Sequence, residues 1–255
     1  MTTSTVIPAL KRNKLARTLG PIVFWLVVWQ CAAMMVDREL ILPSPLSTLR
    51  TLFELAQERQ FWISAGFSLL RIFCGFASGV VLGAGLAVLT AISRAADALI
   101  SPVIRVVRAT PVASFIILVL LWISRVMVPA FISMLMVIPI VWEALSTAIG
   151  ETDGELLEMA RAYDFGRLKT VKLVYIPSVL PSFTSACLTA QGLAWKSGVA
   201  AEVLCLPRSA VGTELYYSKV YLETPVLFAW TAVVVVLSFL LEKLCRLAIR
   251  RTVRQ

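Results

Sequence analysis

Two apolar blocks limit what this chain can become. From Trp62 to Ser93 the only charged residue is Arg71, and from Val126 to Ala148 the only one is Glu143. About 20 largely apolar residues suffice for a helix to cross the hydrocarbon core of a bilayer, and an unbroken helix satisfies its own backbone there. Four more apolar runs, at residues 20–37, 111–124, 182–204 and 225–244, extend the pattern. The expectation is an all-α integral membrane protein of about six transmembrane helices, each near the length a bilayer requires. The run at 62–93 is long enough to project from the bilayer, and the run at 111–124 is short enough that its span could begin near Leu99. A chain that is 59% hydrophobic, with mean hydropathy +0.85, lies outside the range of soluble domains.

The net charge of +9 does not point to nucleic acid, because the basic residues fall in separate short segments between the apolar blocks. Membrane topology accounts for them. Sixteen Lys and Arg residues lie on one side of the expected spans, from Lys11 and Arg12 through Arg94, Arg105 and Arg108 to Arg254, and six on the other. The positive-inside rule then puts both termini and the loop between spans four and five in the cytoplasm. The first apolar run follows basic residues but no small-residue cleavage pattern comes after it, so it reads as a retained helix. No repeat or long linker divides residues 1–255, which read as one domain with an N-terminal tail (1–19), a central loop (149–181) and a basic C-terminal tail (245–255).

The central loop is a polar interruption with a helical pattern inside it. Leu156, Leu157, Ala160 and Tyr163 recur at three- and four-residue spacing, and Glu151, Asp153 and Glu155 crowd the first turn. The reading is two short helices, capped at Asp153 or Thr152 and broken at Asp164, Phe165 and Gly166. Gly166 is expected to supply the permissive backbone, and Pro177 and Pro181 to end the second half.

This run resembles the EAA signature of ABC importer permeases: Glu158-Met159-Ala160 falls on the Glu-Ala-Ala triplet, Asp164 on the glycine, and Val174-Tyr175-Ile176-Pro177 on the Ile-x-Leu-Pro ending. Met159 and Asp164 depart from the pattern. The resemblance runs from about Leu42 to Lys243 and is most specific from Arg71 to Glu202. Ser68-Leu69-Leu70-Arg71 with Gly75-Phe76, Arg108-Ala109-Thr110-Pro111, Ala194-Trp195-Lys196 and Ala200-Ala201-Glu202 resemble the nitrate, sulfonate and taurine branch. It implies a homodimer in a bacterial cytoplasmic membrane, two ATPase subunits that hold ATP-Mg, and an extracytoplasmic solute-binding protein. It also implies that Glu158, Ala160, Tyr163, Asp164, Phe165, Gly166 and Arg167 form the contact with the ATPase, and that spans three to five line the dimer axis. Within that contact, Phe165 and Tyr163 are expected to insert while Glu158 holds the bend. The implied solute is a small anion such as a sulfonate, taurine or nitrate, or a pyrimidine vitamin precursor.

Inside the spans, Gly75, Gly79, Gly83 and Ala87 recur every four residues, a small-residue stripe that lets helix backbones approach closely. Arg71 either snorkels or pairs with an acid. On the fifth span, Thr184, Gln191, Trp195, Gly198 and Glu202 fall within about 40° of one another at 100° per residue. Such a stripe faces a water-filled path or a partner helix. Lys196 sits on another face, as a path residue or in an ion pair with Glu143 or Glu202. Pro45 to Arg59 reads as an amphipathic helix with Leu46, Leu49, Leu52, Phe53 and Ala56 on its apolar stripe, lying on the membrane or contacting a binding protein.

There is no G-x-x-x-x-G-K-[ST] loop and no histidine, and the five cysteines lie singly. No catalytic or metal-ligating set is expected, and no cofactor in this chain. The leading function is the permease subunit of an ATP-driven importer. The alternative is a self-contained secondary transporter or channel.

Overall fold

The computed structural model describes residues 14–253, and every regular element among them is helical. In order these are α1 (Lys14–Val36), α2 (Pro45–Ala56), α3 (Arg59–Ile92), α4 (Arg94–Ala109), α5 (Val112–Val119), α6 (Val128–Gly150), α7 (Gly154–Ala162), α8 (Arg167–Thr170), α9 (Ile176–Cys205), α10 (Val211–Val220) and α11 (Thr224–Val253). Most of the expected N-terminal tail and the end of the C-terminal one lie outside the described residues.

Four helices are long and apolar enough to cross a membrane: Arg59–Ile92, Val128–Gly150, the continuous Arg167–Cys205, and Thr224–Ala248. A fifth crossing exists if α4 and α5 are one broken span. The apolar part of α1, Gly20–Val36, is a shorter helix. The expected third span is therefore not a straight helix. Its eight-residue α5 is only about 12 Å long, and it meets α4 at a 104° bend. The cause is local. Pro111 disfavours helical geometry at the residue before it, and Thr110 is extended at φ −85°, ψ 131°.

The core is a stack of α3, α6 and α9. Gly75, Gly79 and Gly83 lie where α3 meets α6, so closely that a Cβ added at Gly75 would sit 2.2 Å from the Ala130 carbonyl oxygen. At Gly79 the same atom would meet Val137 Cβ at 2.7 Å, and at Gly83 the Ile138 carbonyl at 2.9 Å. Val137, Val141, Ala190 and Ala194 then close the layer between α6 and α9. Ser133 bridges it, sharing its one hydroxyl proton between the Pro129 and Ala194 carbonyls at 2.8 and 3.0 Å.

Two expectations about the flanking helices change. On α2, Leu46, Leu49 and Phe53 are exposed, whereas Leu52, Leu55 and Ala56 pack against Phe61 and Trp230. The apolar residues thus divide between two faces. Pro177 and Pro181 do not end a helix. The chain runs on from α8 into α9 through a π-helical stretch, Val171–Tyr175, in which the Ile176 N–H reaches back five residues to the Val171 carbonyl. A wide turn is one way for a helix to absorb prolines that remove donors and crowd the preceding carbonyl.

Because its neighbour at Gly75 is backbone, Gly75→Ala should cost about 1–3 kcal/mol by forcing α3 and α6 apart. Gly85, which faces open space, is the control. Thermal unfolding of the two variants in detergent should show a lower midpoint for Gly75→Ala and little change for Gly85→Ala.

Candidate translocation face and coupling segment

Helix α9 carries two polar stripes, and the fold treats them oppositely. The one holding Gln191, Trp195, Gly198 and Glu202 is buried inside this chain. Glu202 is fully buried, and its carboxylate accepts from Arg71 Nη1 at 2.8 Å, from Ser68 Oγ at 2.8 Å and from the Gly212 backbone N–H at 3.2 Å. Ser68 Oγ in turn accepts from the Val211 N–H at 2.9 Å. The first N–H groups of α10, which no helical carbonyl can reach, are thus satisfied from α9 and α3. Trp195 is buried and donates from Nε1 to the Val234 carbonyl at 3.1 Å. Gln191 is buried too, and its Nε2 has no hydrogen-bond partner among the described residues. A Cβ at Gly198 would meet Ile72 and Ser133 at 2.6 Å. As placed, Gln191, Trp195 and Glu202 are helix contacts and do not face an open path. Arg71 is the acid-paired residue of the two readings offered for it.

The other stripe is open. Ser182, Ser185, Thr189 and Lys196 lie within about 60° of one another, roughly 130° round the helix from the buried set. Ser185, Thr189 and Lys196 are exposed, and Ser182 is half-buried. Three of the four recur at intervals of seven, a signal present in the sequence but masked by the bulkier Gln, Trp and Glu. Lys196 pairs with no carboxylate among the described residues: Glu202 is taken by Arg71, and Glu143 by Arg108. The Arg108–Glu143 pair is half-exposed and joins the last turn of α4 to α6. Between α4, α6 and α9 lies a cleft of about 590 Å³ whose walls include Arg108, Glu143, Thr147, Ser182, Ser185 and Thr189.

The central loop forms its two helices with Asp153 as the N-cap, its carboxylate accepting from the Glu155 N–H at 2.9 Å. The bend falls at 163–166. Its left-handed residue is Asp164, at φ 50°, the position where the EAA-like pattern has glycine. Gly166 has φ −59° and is not the source of the bend. Asp is among the few residues that adopt this geometry at modest cost. The Phe165 N–H closes the turn onto the Ala160 carbonyl at 2.8 Å, which leaves Ala160 buried and Arg167 exposed. Glu158 is exposed, and its side chain makes no hydrogen bond or ion pair among the described residues, so nothing there ties it to the bend. Phe165 is half-buried, with Lys169 Nζ 4.0 Å above its ring. Tyr163 and Leu168 instead project, 72% and 88% exposed.

Residues 79–254 match the family of the binding-protein-dependent transport system inner membrane component. The chain belongs to this family. The permease is 24% identical over 233 residues to the taurine transport system permease protein TauC of Escherichia coli, covering 88% of this chain and 84% of that one. It is 23% identical over 235 residues to a putative aliphatic sulfonates transport permease protein, SsuC, of Bacillus subtilis, covering 90% and 83%. Its fold is similar to that of a bacterial ABC transporter involved in import of the acidic polysaccharide alginate, with a TM-score of 0.62 at 14% identity, covering 95% of this chain and 97% of that one. An amino acid ABC transporter gives a TM-score of 0.58 at 19% identity, covering 72% and 90%. The protein is thus a multi-pass membrane permease of an ABC importer, and the reading as a self-contained secondary transporter falls away.

Burial makes the Glu202 network sensitive to loss of one partner. Glu202→Gln should lower stability by about 3 kcal/mol or more, since it leaves Arg71 without a counter-charge. The double variant Arg71→Met with Glu202→Gln should recover part of the loss. Thermal unfolding in detergent reads both; equal stability of wild type and Glu202→Gln would show that the pair contributes nothing.

Proposed function

We propose that two copies of this permease enclose the solute path between their α4, α6 and α9 faces, with the open stripe Ser182, Ser185, Thr189 and Lys196 lining it. The observation that carries this is the exposure of that stripe. Hydroxyls and a lysine without a carboxylate partner are unsuited to lipid, and a symmetric partner would turn them into the wall of an aqueous route. Each copy brings one Lys196, so a path on the two-fold axis meets two ammonium groups. That charge, with the taurine and aliphatic sulfonate relatives, favours a small sulfonate as the solute.

The central loop is the contact for a separate ATPase subunit that binds and hydrolyses ATP-Mg. Tyr163 and Leu168 are its anchors, because they are the large apolar side chains that project beside the bend, while Arg161, Arg167 and Lys169 form a charged rim. Phe165 supports the bend from behind. Displacement of the loop reaches the path directly, since α8, the π-helical stretch and α9 are one continuous helix and Ser182 lies about two turns beyond Tyr175. The distribution of basic residues puts this loop and both termini on the cytoplasmic side, with the binding protein delivering solute opposite.

Two measurements test the reading. Single cysteines at Ser185 and Thr189 should react with a small water-soluble thiol reagent at rates that change with ATP, while a cysteine at Gln191 stays protected. Lys196→Met should abolish uptake with assembly intact. Unreactive Ser185 and Thr189 cysteines in every state would place this face against another helix and end the path proposal. Separately, Leu168→Ala should weaken capture of the ATPase subunit by about thirtyfold, the loss of an anchor worth about 2 kcal/mol. Leu46→Ala, exposed on α2, should recover it normally.

A further inference from the structure

The cleft between α4, α6 and α9 has a charge pattern more specific than an anion path needs. Its charged residues are Arg108, Glu143 and Glu151, a formal balance of −1 when all are ionised. Arg108 and Glu143 are already paired across the opening, and both remain about half exposed. That distinguishes them from Arg71 and Glu202, which are sealed in the core with three further hydrogen bonds around them. A half-exposed pair contributes little to stability, so it can open at small cost. The hydroxyls of Thr147, Ser182, Ser185 and Thr189 share the wall; Thr189 donates to the Ser185 carbonyl at 3.2 Å, and none of the four donates to a side chain among the described residues.

We propose that this cleft is a subsite for a zwitterion, a small molecule bearing an ammonium and a sulfonate, which enters by exchanging partners with the Arg108–Glu143 ion pair. The inference rests on the path reading above and narrows its solute class. A plain anion that takes Arg108 leaves Glu143 unpaired in a cleft that also holds Glu151. A plain cation that takes Glu143 leaves Arg108 unpaired. A zwitterion gives each its counter-charge, with the guanidinium donating to the sulfonate, the ammonium donating to Glu143, and the hydroxyls donating to the remaining sulfonate oxygens. With the zwitterion bound, both members of the opened pair have a counter-charge. Lys196 stands about 10 Å further along α9 than Thr189, so it attracts the acidic group before the cleft sorts solutes by whether they also carry an amine.

The test uses the permease with its ATPase subunits in lipid nanodiscs, without the binding protein, and Thr189→Cys as reporter. Cys31, Cys74 and Cys245 are replaced by alanine, and the buried Cys187 and Cys205 are kept. The rate of modification by a small water-soluble thiol reagent is measured alone, with 2-aminoethanesulfonate, and with ethanesulfonate at the same concentration. Binding-protein selectivity does not enter. The aminosulfonate should protect better than the plain sulfonate by roughly two- to fivefold, the range of one exposed ion pair. Glu143→Gln should erase that difference, Glu143→Asp should restore it, and Arg108→Gln should abolish protection by both. Equal protection by the two sulfonates in the parent, or a preference that survives Glu143→Gln, overturns the zwitterion subsite and leaves the path reading standing. A Thr189 cysteine that the reagent alone cannot modify removes the path reading and the subsite with it.

Discussion

The buried contact of Arg71 with Glu202 is the constraint on which the arrangement of the permease depends. Two charges in an apolar interior are costly unless each finds its full set of partners. Here the carboxylate gathers a guanidinium and a hydroxyl from α3 and a backbone N–H from α10, while Ser68 takes a second N–H from the same helix start. One side chain of α9 therefore sets the rotation of α9 against α3 and the place where α10 begins. Gly212 completes the fit, since a Cβ there would lie 2.5 Å from Glu202 Cβ. With that rotation set, the opposite face of α9 must turn outward, and it is the face bearing Ser185, Thr189 and Lys196.

Close backbone approach supplies the second constraint. In lipid, helices gain little from burying apolar surface against one another, and association relies on packing and hydrogen bonds. The glycines of α3 admit the backbone of α6 to contact distance, Ser133 fastens α6 to α9, and Trp142 Nε1 donates to Thr90 Oγ1 at 3.1 Å between α6 and α3. The three-helix stack is held by small residues and short polar links more than by large side chains. Many large apolar residues accordingly point outward: Leu82, Val88 and Leu89 on α3, and Val236, Phe239 and Leu240 on α11.

Among the described residues, the two ion pairs that join different helices show how burial changes what a pair does for the fold. The Arg71–Glu202 pair is sealed and saturated, so it specifies a rotation. The Arg108–Glu143 pair lies half exposed beside a polar cleft, where solvent screens it and it specifies little. The same residue types differ in their hold on the fold because one pair is enclosed by three helices and the other joins an exposed helix end to α6.

The sequence alone determined the class of this protein, because local quantities carry it. Apolar run length requires spanning helices, the four-residue glycine spacing requires a tight helix contact, and the periodicity from Leu156 to Tyr163 requires a short helix in the polar interruption; none of these depends on which helix lies next to which. Only the tertiary structure decided the rest. Glu202, Trp195 and Gln191 form a polar stripe equally compatible with a path and with a partner helix, and the choice turned on where Arg71, Ser68 and Val234 lie in space. Pro111 bent the expected third span, while Pro177 and Pro181 were absorbed into a continuous helix, since a proline's effect depends on whether the surrounding turns can widen. At the bend of the central loop, Asp164 took the left-handed geometry that Gly166 was free to supply, and Phe165 turned inward while Tyr163 and Leu168 turned out. Composition lists the residues able to fill such roles, and packing assigns them, because the rotation of a helix decides which of its polar groups meet partners from other helices.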